Sequence, residues 1–296
     1  MTAHEDIRIG TLVPADRNPA DYIRQILPHG FESFELTFGR HVGDADLGRL
    51  ADEVRAVLAA DPAGPVISAL GIYGNPLTDE QTAADWLRLI DAADRFGCRL
   101  VCGFTGRLPG CPVPESLPRL KEVFAPIVAR AEDRGVRIAF ENCEMRGTWD
   151  AGDWNIAHAP AAWEMIFAAL GSDVVGLEWE PCHQLVSLVE PLPQLRQWVH
   201  KVFHLHGKDA SVFWDVLRTR GLRGGAPYVH HRTPGFGDTN WTDVISVLRL
   251  GGFRGAIDIE GWHDPVYRGE LEMTGQVYAL DYLKRCRGGP FVPNPV

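Results

Sequence analysis

The chain of 296 residues contains 29 lysines and arginines against 39 aspartates and glutamates, which gives a formal net charge of −10. Sequence-independent nucleic-acid binding depends on clustered basic residues, so this balance argues against a nucleic-acid partner and against an anionic membrane surface. The apolar share of 45% is typical of a globular protein. No apolar run approaches the ~20 residues of a membrane helix.

The cysteines and the N-terminus suggest the compartment. Met1–Gly10 contains acidic residues and no apolar core of the kind that export signals carry, so we expect a cytoplasmic protein. The 6 cysteines form no Cys-x-x-Cys pair and no spacing typical of secreted proteins. We therefore expect reduced thiols that are mostly buried.

Strand-like runs alternate with helical spacing of apolar residues along the whole chain. The predicted strands are Ile7–Val13, Ser33–Thr37, Val66–Leu70, Arg99–Gly103, Val136–Glu141, Val174–Glu180, Val202–His206 and Ala256–Glu260. The predicted helices are Tyr22–Leu27, Leu47–Ala59, Thr82–Phe96, Leu117–Arg134, Pro160–Leu170, Leu192–Val199, Trp241–Leu250 and Met273–Arg285. Eight such units predict an α/β fold whose parallel sheet closes, a (β/α)8 TIM barrel, with residues 1–296 as a single domain.

Turn-forming residues support these boundaries. The glycines expected to end helices before a strand are Gly97, Gly135, Gly171 and Gly252. The predicted N-caps are Asp79, Asp238 and Asn240. The stretch Asp209–Thr239 is expected to be an irregular loop at the catalytic face, because it follows a barrel strand.

Four successive strands are predicted to end in a residue type that binds metals. These residues are Glu141, Glu180, His206 and Glu260. Since the carboxyl ends of barrel strands meet at one mouth, we expect the four side chains to surround one divalent ion. Three carboxylates and one imidazole favour Mn²⁺, with Mg²⁺, Co²⁺ and Zn²⁺ as alternatives.

Several motifs are distributed through the chain. They are Phe31–Leu36, Gly71–Leu77, Ile138–Asn142, Asn155–Pro160, Val175–His183, His204–Asp209, Thr233–Asp238 and Ile257–Glu260. With these motifs almost the entire chain resembles the sugar isomerase and epimerase superfamily with the xylose-isomerase-like barrel. The motifs are specific for the fold and the metal site, and they do not identify the substrate.

The resemblance implies roles for individual residues. Glu141 and Glu260 resemble the paired glutamates that bind the metal and transfer protons on opposite faces of the substrate, and His206 resembles the imidazole ligand. Glu180 stands where the family usually has Asp, so its arm is one methylene longer and we expect the metal or its coordination to shift. His183 resembles a histidine that contacts substrate oxygens.

Strand periodicity predicts a second, deeper set of polar residues. Residues two apart on a strand point the same way, so Glu178, His204 and Asp258 are expected below the ligands. We interpret them as hydrogen-bonding partners that orient the metal ligands. A β-bulge would instead turn some of them outward.

Other side chains near the same mouth are candidates for substrate binding. The tryptophans, which suit the apolar face of a sugar, are Trp149, Trp154, Trp214 and Trp262. Lys208 is either an electrophile near the metal or the partner of a carboxylate, and Glu35 is expected to hold Lys208 or a substrate hydroxyl. Arg232 begins a segment with Pro-Gly-x-Gly, for which we favour a turn over a phosphate cradle.

The sequence favours an isomerase or epimerase of a keto- or aldo-sugar, which works through a metal-stabilised enediolate and glutamate proton transfer. The alternative is a lyase on the same fold, either a dehydratase or an enzyme that cleaves 3-keto-glycosides or C-glycosides. A non-catalytic barrel and a DNA-repair endonuclease relative are further alternatives, and the net charge opposes the latter. The expected partners are a small sugar or glycoside and either a second copy of the chain or another subunit.

Overall fold

The computed structural model describes residues 6–295. Its strands are β1 (Arg8–Pro14), β2 (Ser33–Thr37), β3 (Val66–Ile72), β4 (Leu100–Gly103), β5 (Arg137–Glu141), β6 (Val175–Trp179), β7 (Val202–Gly207), β8 (Asp209–Val212), β9 (Val229–Arg232) and β10 (Ala256–Ile259). All except β8 and β9 form a closed parallel barrel in the order β1-β10-β7-β6-β5-β4-β3-β2. The predicted (β/α)8 TIM barrel is therefore confirmed, with strand ends that differ by one or two residues.

Helices alternate with the barrel strands. They are α1 (Pro19–Ile26), α2 (Leu47–Ala59), α3 (Glu80–Ala92), α4 (Val113–Arg134), α5 (Pro160–Leu170), α6 (Pro181–Val186), α7 (Pro191–Trp198), α8 (Trp214–Arg220), α9 (Trp241–Leu250) and α10 (Glu272–Arg287). None of the helices in residues 6–295 is long and apolar enough to span a membrane. Part of the predicted N-terminal segment, residues 1–5, lies outside the described residues.

Local sequence signals explain where the helices begin and end. Gly135 and Gly171 end α4 and α5 with φ of 62° and 59°, a conformation that glycine adopts without steric cost. The side chains of Asp79 and Asn240 accept hydrogen bonds from the first turns of α3 and α9, as predicted. The prediction for Asp238 was wrong, because its carboxylate accepts from the backbone N–H of Val212 in β8 instead.

The stretch Asp209–Thr239 is more regular than the sequence indicated. It contains β8 and β9, which pair antiparallel, and α8 between them. α6, which follows β6 directly, was also missed. These elements are four to seven residues long, so their periodicity is too short to be recognised in a sequence.

Contacts divide the chain into two units. The larger unit consists of Leu12–Trp179 and Lys201–Leu205. Its core contains Trp86, Phe124 and Phe140, whose ring centroids lie 5.0–6.2 Å apart in edge-to-face arrangements. Such aromatic pairs contribute roughly 0.5–1.5 kcal/mol beyond the burial of their area. In this unit the strands from β2 to β6 pair in sequence order.

Within the described residues, the smaller unit consists of segments 6–11, 180–200 and 206–295. Within it β1 pairs with β10, with Arg8 beside Ala256. Asp209, at the start of β8, anchors the β8–β9 pair to α9. Its buried carboxylate accepts hydrogen bonds from Thr239 Oγ1 at 2.6 Å and from Trp241 Nε1 at 3.0 Å.

The cysteines agree with the prediction. All 6 are free thiols. Those that are buried are Cys98, Cys102, Cys143 and Cys182.

Candidate active site

Three of the predicted metal ligands meet within the smaller unit. Glu180 follows β6 and occupies the N-cap position of α6, His206 lies on β7, and Glu260 directly follows β10. All three are buried, with exposed fractions of 0%, 1% and 7%. Each offers a ligand atom within 4.8 Å of those of the other two.

Lys208 lies among these side chains. Its Nζ is 3.0 Å from Oε2 of Glu260 and 3.7 Å from Oε1 of Glu180. The side chain is buried, and a buried ammonium is stable only when anionic partners compensate for its lost hydration. Of the two roles considered from the sequence, the ion pair with a neighbouring carboxylate is the one that this geometry provides.

His183 contacts the same group of residues. It lies three residues after Glu180 on α6, and its Nε2 is 2.6 Å from Oε1 of Glu180 and 3.2 Å from Nζ of Lys208. The ring packs edge-to-face against that of His231, at a centroid distance of 5.3 Å. His183 is therefore held by residues of the site itself.

His263 is a site residue that the sequence reasoning missed. Its Nε2 lies 2.8 Å from Oε1 of Glu260, and its side chain is 42% exposed. The spacing Glu260-x-x-His263 repeats that of Glu180-x-x-His183, and this repetition was the signal that could have identified it. His263 also lies close to His231, at a centroid distance of 5.8 Å.

The surroundings of Glu260 determine its ionisation. Burial by itself would raise the pKa of this carboxyl group. The adjacent Lys208 ammonium, together with His206 and His263, more than offsets that effect and holds the pKa of Glu260 well below its usual range. Glu260 is thus an ionised carboxylate at neutral pH.

This donor set suits a divalent cation. Carboxylate oxygens and an imidazole nitrogen are ligands that Mn²⁺, Mg²⁺, Co²⁺ and Zn²⁺ accept. Two buried carboxylates against one ammonium leave a net negative charge that a further cation would balance. The residues present therefore fit the predicted metal.

Glu141 belongs to the larger unit. It is the last residue of β5, and its side chain is 4% exposed. Asn155 supports this strand end, because its Nδ2 donates to the carbonyl oxygens of Glu141 and Cys143, each at 2.8 Å. Asn155 therefore connects the end of β5 to the loop that follows.

The larger unit also contains a buried polar cluster. Nδ1 of His204 lies 2.8 Å from Oε1 of Glu178, and the Tyr73 hydroxyl lies within hydrogen-bond distance of Oε2 of Glu178, at 2.9 Å, and of the Glu35 carboxylate. The ladder between β6 and β7 shifts between Leu177 and Glu178, which places Glu178 beside His204. All four members of the cluster are buried or nearly so.

Tyr73 keeps its proton in this cluster. Burial, and then the charges of Glu178 and Glu35, raise its pKa well above the usual value. Tyr73 lies within the Gly71–Leu77 motif, but the sequence alone indicates no role for it. The Glu35 carboxylate lies against the Tyr73 hydroxyl, and its predicted role toward Lys208 or a substrate hydroxyl stays a prediction.

Asp258, the third residue of the predicted deeper set, belongs to the smaller unit. It lies on β10 beside Gly10 of β1, and it is fully buried.

The predicted substrate-binding residues differ in exposure. Trp149 and Trp262 are each 37% exposed. Arg232 forms an ion pair with Asp264, and its Nε lies 3.0 Å from Oδ2 of Asp264. The segment after Arg232 forms the favoured turn, with the N–H of Phe236 donating to the carbonyl of Thr233.

The other two predicted tryptophans lie in different settings. Trp154 packs under the guanidinium of Arg40, which lies 4.4 Å from the ring centroid. Trp214 begins α8 and is 52% exposed.

Comparisons with known proteins agree with this architecture. A family model described as xylose isomerase-like TIM barrel matches residues 23–286. This match confirms the resemblance drawn from the motifs. A comparison with curated protein sequences finds no match.

Solved structures show the same fold at low identity. A xylose isomerase domain protein from Planctomyces limnophilus is 17% identical with a TM-score of 0.71, over 96% of this chain and 98% of that chain. The apo form of 3-keto-D-glucoside 4-epimerase from E. coli is 16% identical with a TM-score of 0.69, over 95% of this chain and 100% of that chain. A probable 3-DHS dehydratase from Bacillus anthracis is 13% identical with a TM-score of 0.65, over 93% of this chain and 98% of that chain.

Proposed function

This chain belongs to the xylose isomerase-like TIM barrel family, and we propose that it is a divalent-metal-dependent sugar isomerase or epimerase. The observation that carries the proposal is the buried set of Glu180, His206 and Glu260 at the ends of their strands, with Lys208 against the carboxylates. Unpaired carboxylates would not be stable in such a buried position. A catalytic mouth at the carboxyl ends of the strands is the rule for barrel enzymes.

Glu141 completes the proposed ligand set. It ends β5, which neighbours β6 in the barrel order, and its side chain is buried. Mn²⁺ is the proposed ion, and Mg²⁺, Co²⁺ and Zn²⁺ suit the same donors. A bound ion of this kind would polarise the substrate carbonyl and stabilise the negative charge that develops on its oxygen.

The residues of this chain divide the remaining work. Glu260, ionised at neutral pH, is the proposed base that removes the proton next to the carbonyl. Glu141 is the proposed acid that returns a proton from the opposite face. His183 and Lys208, which contact each other, would donate hydrogen bonds to substrate oxygens.

A lyase is the second candidate. Removal of a proton next to a carbonyl also permits loss of a group from the adjacent carbon, as in a dehydratase. One structural neighbour is named as a probable dehydratase. In addition, the partly exposed Trp149 and Trp262 suit a substrate bulkier than a monosaccharide.

Solvent exchange tests both candidates. The Mn²⁺-loaded protein is incubated in deuterated water with ketohexoses and with 3-keto-glucosides, and deuterium at carbon is followed by NMR. We expect exchange that Glu260→Gln abolishes. Glu164→Gln, an exposed glutamate of α5, is the matched control.

The products separate the remaining alternatives. An epimer or isomer supports the first function, and an unsaturated or cleaved sugar supports the lyase. Absence of exchange with every sugar would contradict both and favour a non-catalytic barrel.

A further inference from the structure

A cavity lies at the amino ends of β1 and β10, within the smaller unit. Its volume is about 470 Å³, and it is lined by Asp6, Arg249, Arg254, Arg287 and segment 288–292. Asp6 and Arg254 each precede the first residue of a strand. Glu260 follows the other end of β10, so the cavity is distinct from the candidate active site.

Protein contacts hold the three guanidinium groups in place. Arg249 donates through Nη2 and Nε to the two carboxylate oxygens of Asp6, at 2.6 and 3.2 Å. Nη1 of Arg287 donates to the carbonyl of Ile7 at 2.7 Å, and Nη1 of Arg254 to that of Phe253 at 2.8 Å. A guanidinium has five N–H donors, so Arg249 and Arg254 use only part of their donors in these contacts.

The charge of this lining opposes that of the chain. Three arginines and one aspartate sum to +2 among the described lining residues, whereas the chain carries −10. Burial raises the pKa of Asp6, but the hydrogen bond from Arg249 and the charge of Arg287 lower it overall, so Asp6 is ionised at neutral pH. The excess of two positive charges attracts a dianion.

We propose that this cavity binds a phosphate group, either as free phosphate or as the phosphoryl end of a larger metabolite. Arginine suits this ligand because its planar fork donates two parallel hydrogen bonds to two phosphate oxygens. The volume exceeds that of phosphate and lies within the ~300–1,000 Å³ of small-molecule sites. Pro290, Val292 and the 58% exposed Phe291 provide an apolar wall for the organic part of a phosphate monoester.

Isothermal titration calorimetry on the full-length, metal-loaded protein tests this site. Inorganic phosphate, phenyl phosphate and phenol are titrated separately, with sodium chloride holding the ionic strength constant. We expect saturable binding of both phosphates and none of phenol. In Arg254→Gln the Kd for phosphate should rise by about tenfold or more, because a charge-assisted contact is lost.

Arg55→Gln is the matched control. Arg55 is exposed on α2, and its Nη1 likewise donates to a backbone carbonyl, that of Arg95. Both variants remove one positive charge, but only Arg254 lines the cavity. Equal phosphate affinity in the two variants, or no saturable binding by the wild type, would overturn the proposal.

The two phosphates distinguish the source of the ligand. If phenyl phosphate binds more tightly than inorganic phosphate, and Phe291→Ala removes that advantage, a phosphate monoester is the ligand class. Equal affinities for the two compounds identify free phosphate.

Discussion

His204 and Glu178 form a buried pair on neighbouring strands, with Nδ1 and Oε1 2.8 Å apart. Tyr73 donates to the other oxygen of Glu178 at 2.9 Å. The two partners come from β6 and β7, and Tyr73 directly follows β3. Because these groups are buried and hydrogen-bonded to one another, the loss of one removes a buried hydrogen bond from each of its partners.

The first prediction concerns this pair. His204→Ala should lower the free energy of unfolding by ~3–5 kcal/mol, the range for breaking a buried pair. His204 is two residues from His206 on β7. The substitution should therefore also weaken metal affinity by ~10–100-fold, as losses next to metal ligands do. Thermal unfolding and metal titration measure the two effects. His200→Ala, at an exposed position, should change neither quantity. If His204→Ala has the wild-type free energy of unfolding and the wild-type metal affinity, the interpretation is contradicted.

The second prediction concerns Glu180, where the family usually has Asp. If Glu180 is a ligand, Glu180→Ala should lose the bound metal, because one oxygen donor is removed. Glu180→Asp should retain metal and measurable activity, since it restores the usual shorter arm. Metal content after dialysis, measured by mass spectrometry, decides the question. Equal content in Glu180→Ala and wild type would show that Glu180 is not a ligand.

The third prediction concerns Lys208. Lys208→Met removes the ammonium beside Glu180 and Glu260, so the metal-free protein should lose ~3–5 kcal/mol of stability. A divalent ion supplies positive charge at the same carboxylates and stabilises the native state by binding it. The stability loss should therefore be smaller in saturating Mn²⁺.

Unfolding of both forms by denaturant measures this difference. Lys121→Met, at an exposed position of α4, is the control and should have little effect in either form. An equal loss with and without Mn²⁺ would disprove the link between Lys208 and the metal.

The fourth prediction concerns pH. Burial raises the pKa of Asp209 from 3.8 to about 6, although hydrogen bonds from Thr239, Ala210 and Trp241 oppose the shift. Between pH 4 and 6 the native state then holds a proton that the unfolded chain has lost, so stability falls as pH rises. The difference between the native and unfolded pKa values of Asp209 corresponds to roughly 3 kcal/mol of stability. This stabilisation is fully present below about pH 4 and is lost above about pH 6.

Asp209→Asn should remove this slope from the pH dependence of unfolding. The slope is the relevant quantity, because asparagine also changes the hydrogen bonds. Asp215→Asn, at an exposed position of α8, should leave it unchanged. If Asp209→Asn retains the wild-type slope, the carboxylate does not titrate in this range.

Local patterns were sufficient for the barrel and for the residues at its strand ends. The eight predicted barrel strands are all present, because buried parallel strands appear as short apolar runs between helices of recognisable period. The alternation of side chains along a strand also made Glu178 and His204 candidates for one deeper layer. The antiparallel pair β8–β9 was missed, because each strand has four residues.

The sequence by itself determined the succession of strands and helices, because those signals depend on neighbouring residues. Only the tertiary structure decided which distant side chains meet. Tyr73 and Glu178 are 105 residues apart, and Arg249 and Asp6 are 243 residues apart. Such pairings depend on strand order, register and the curvature of the sheet, which bring residues together without leaving any periodic signal in the chain.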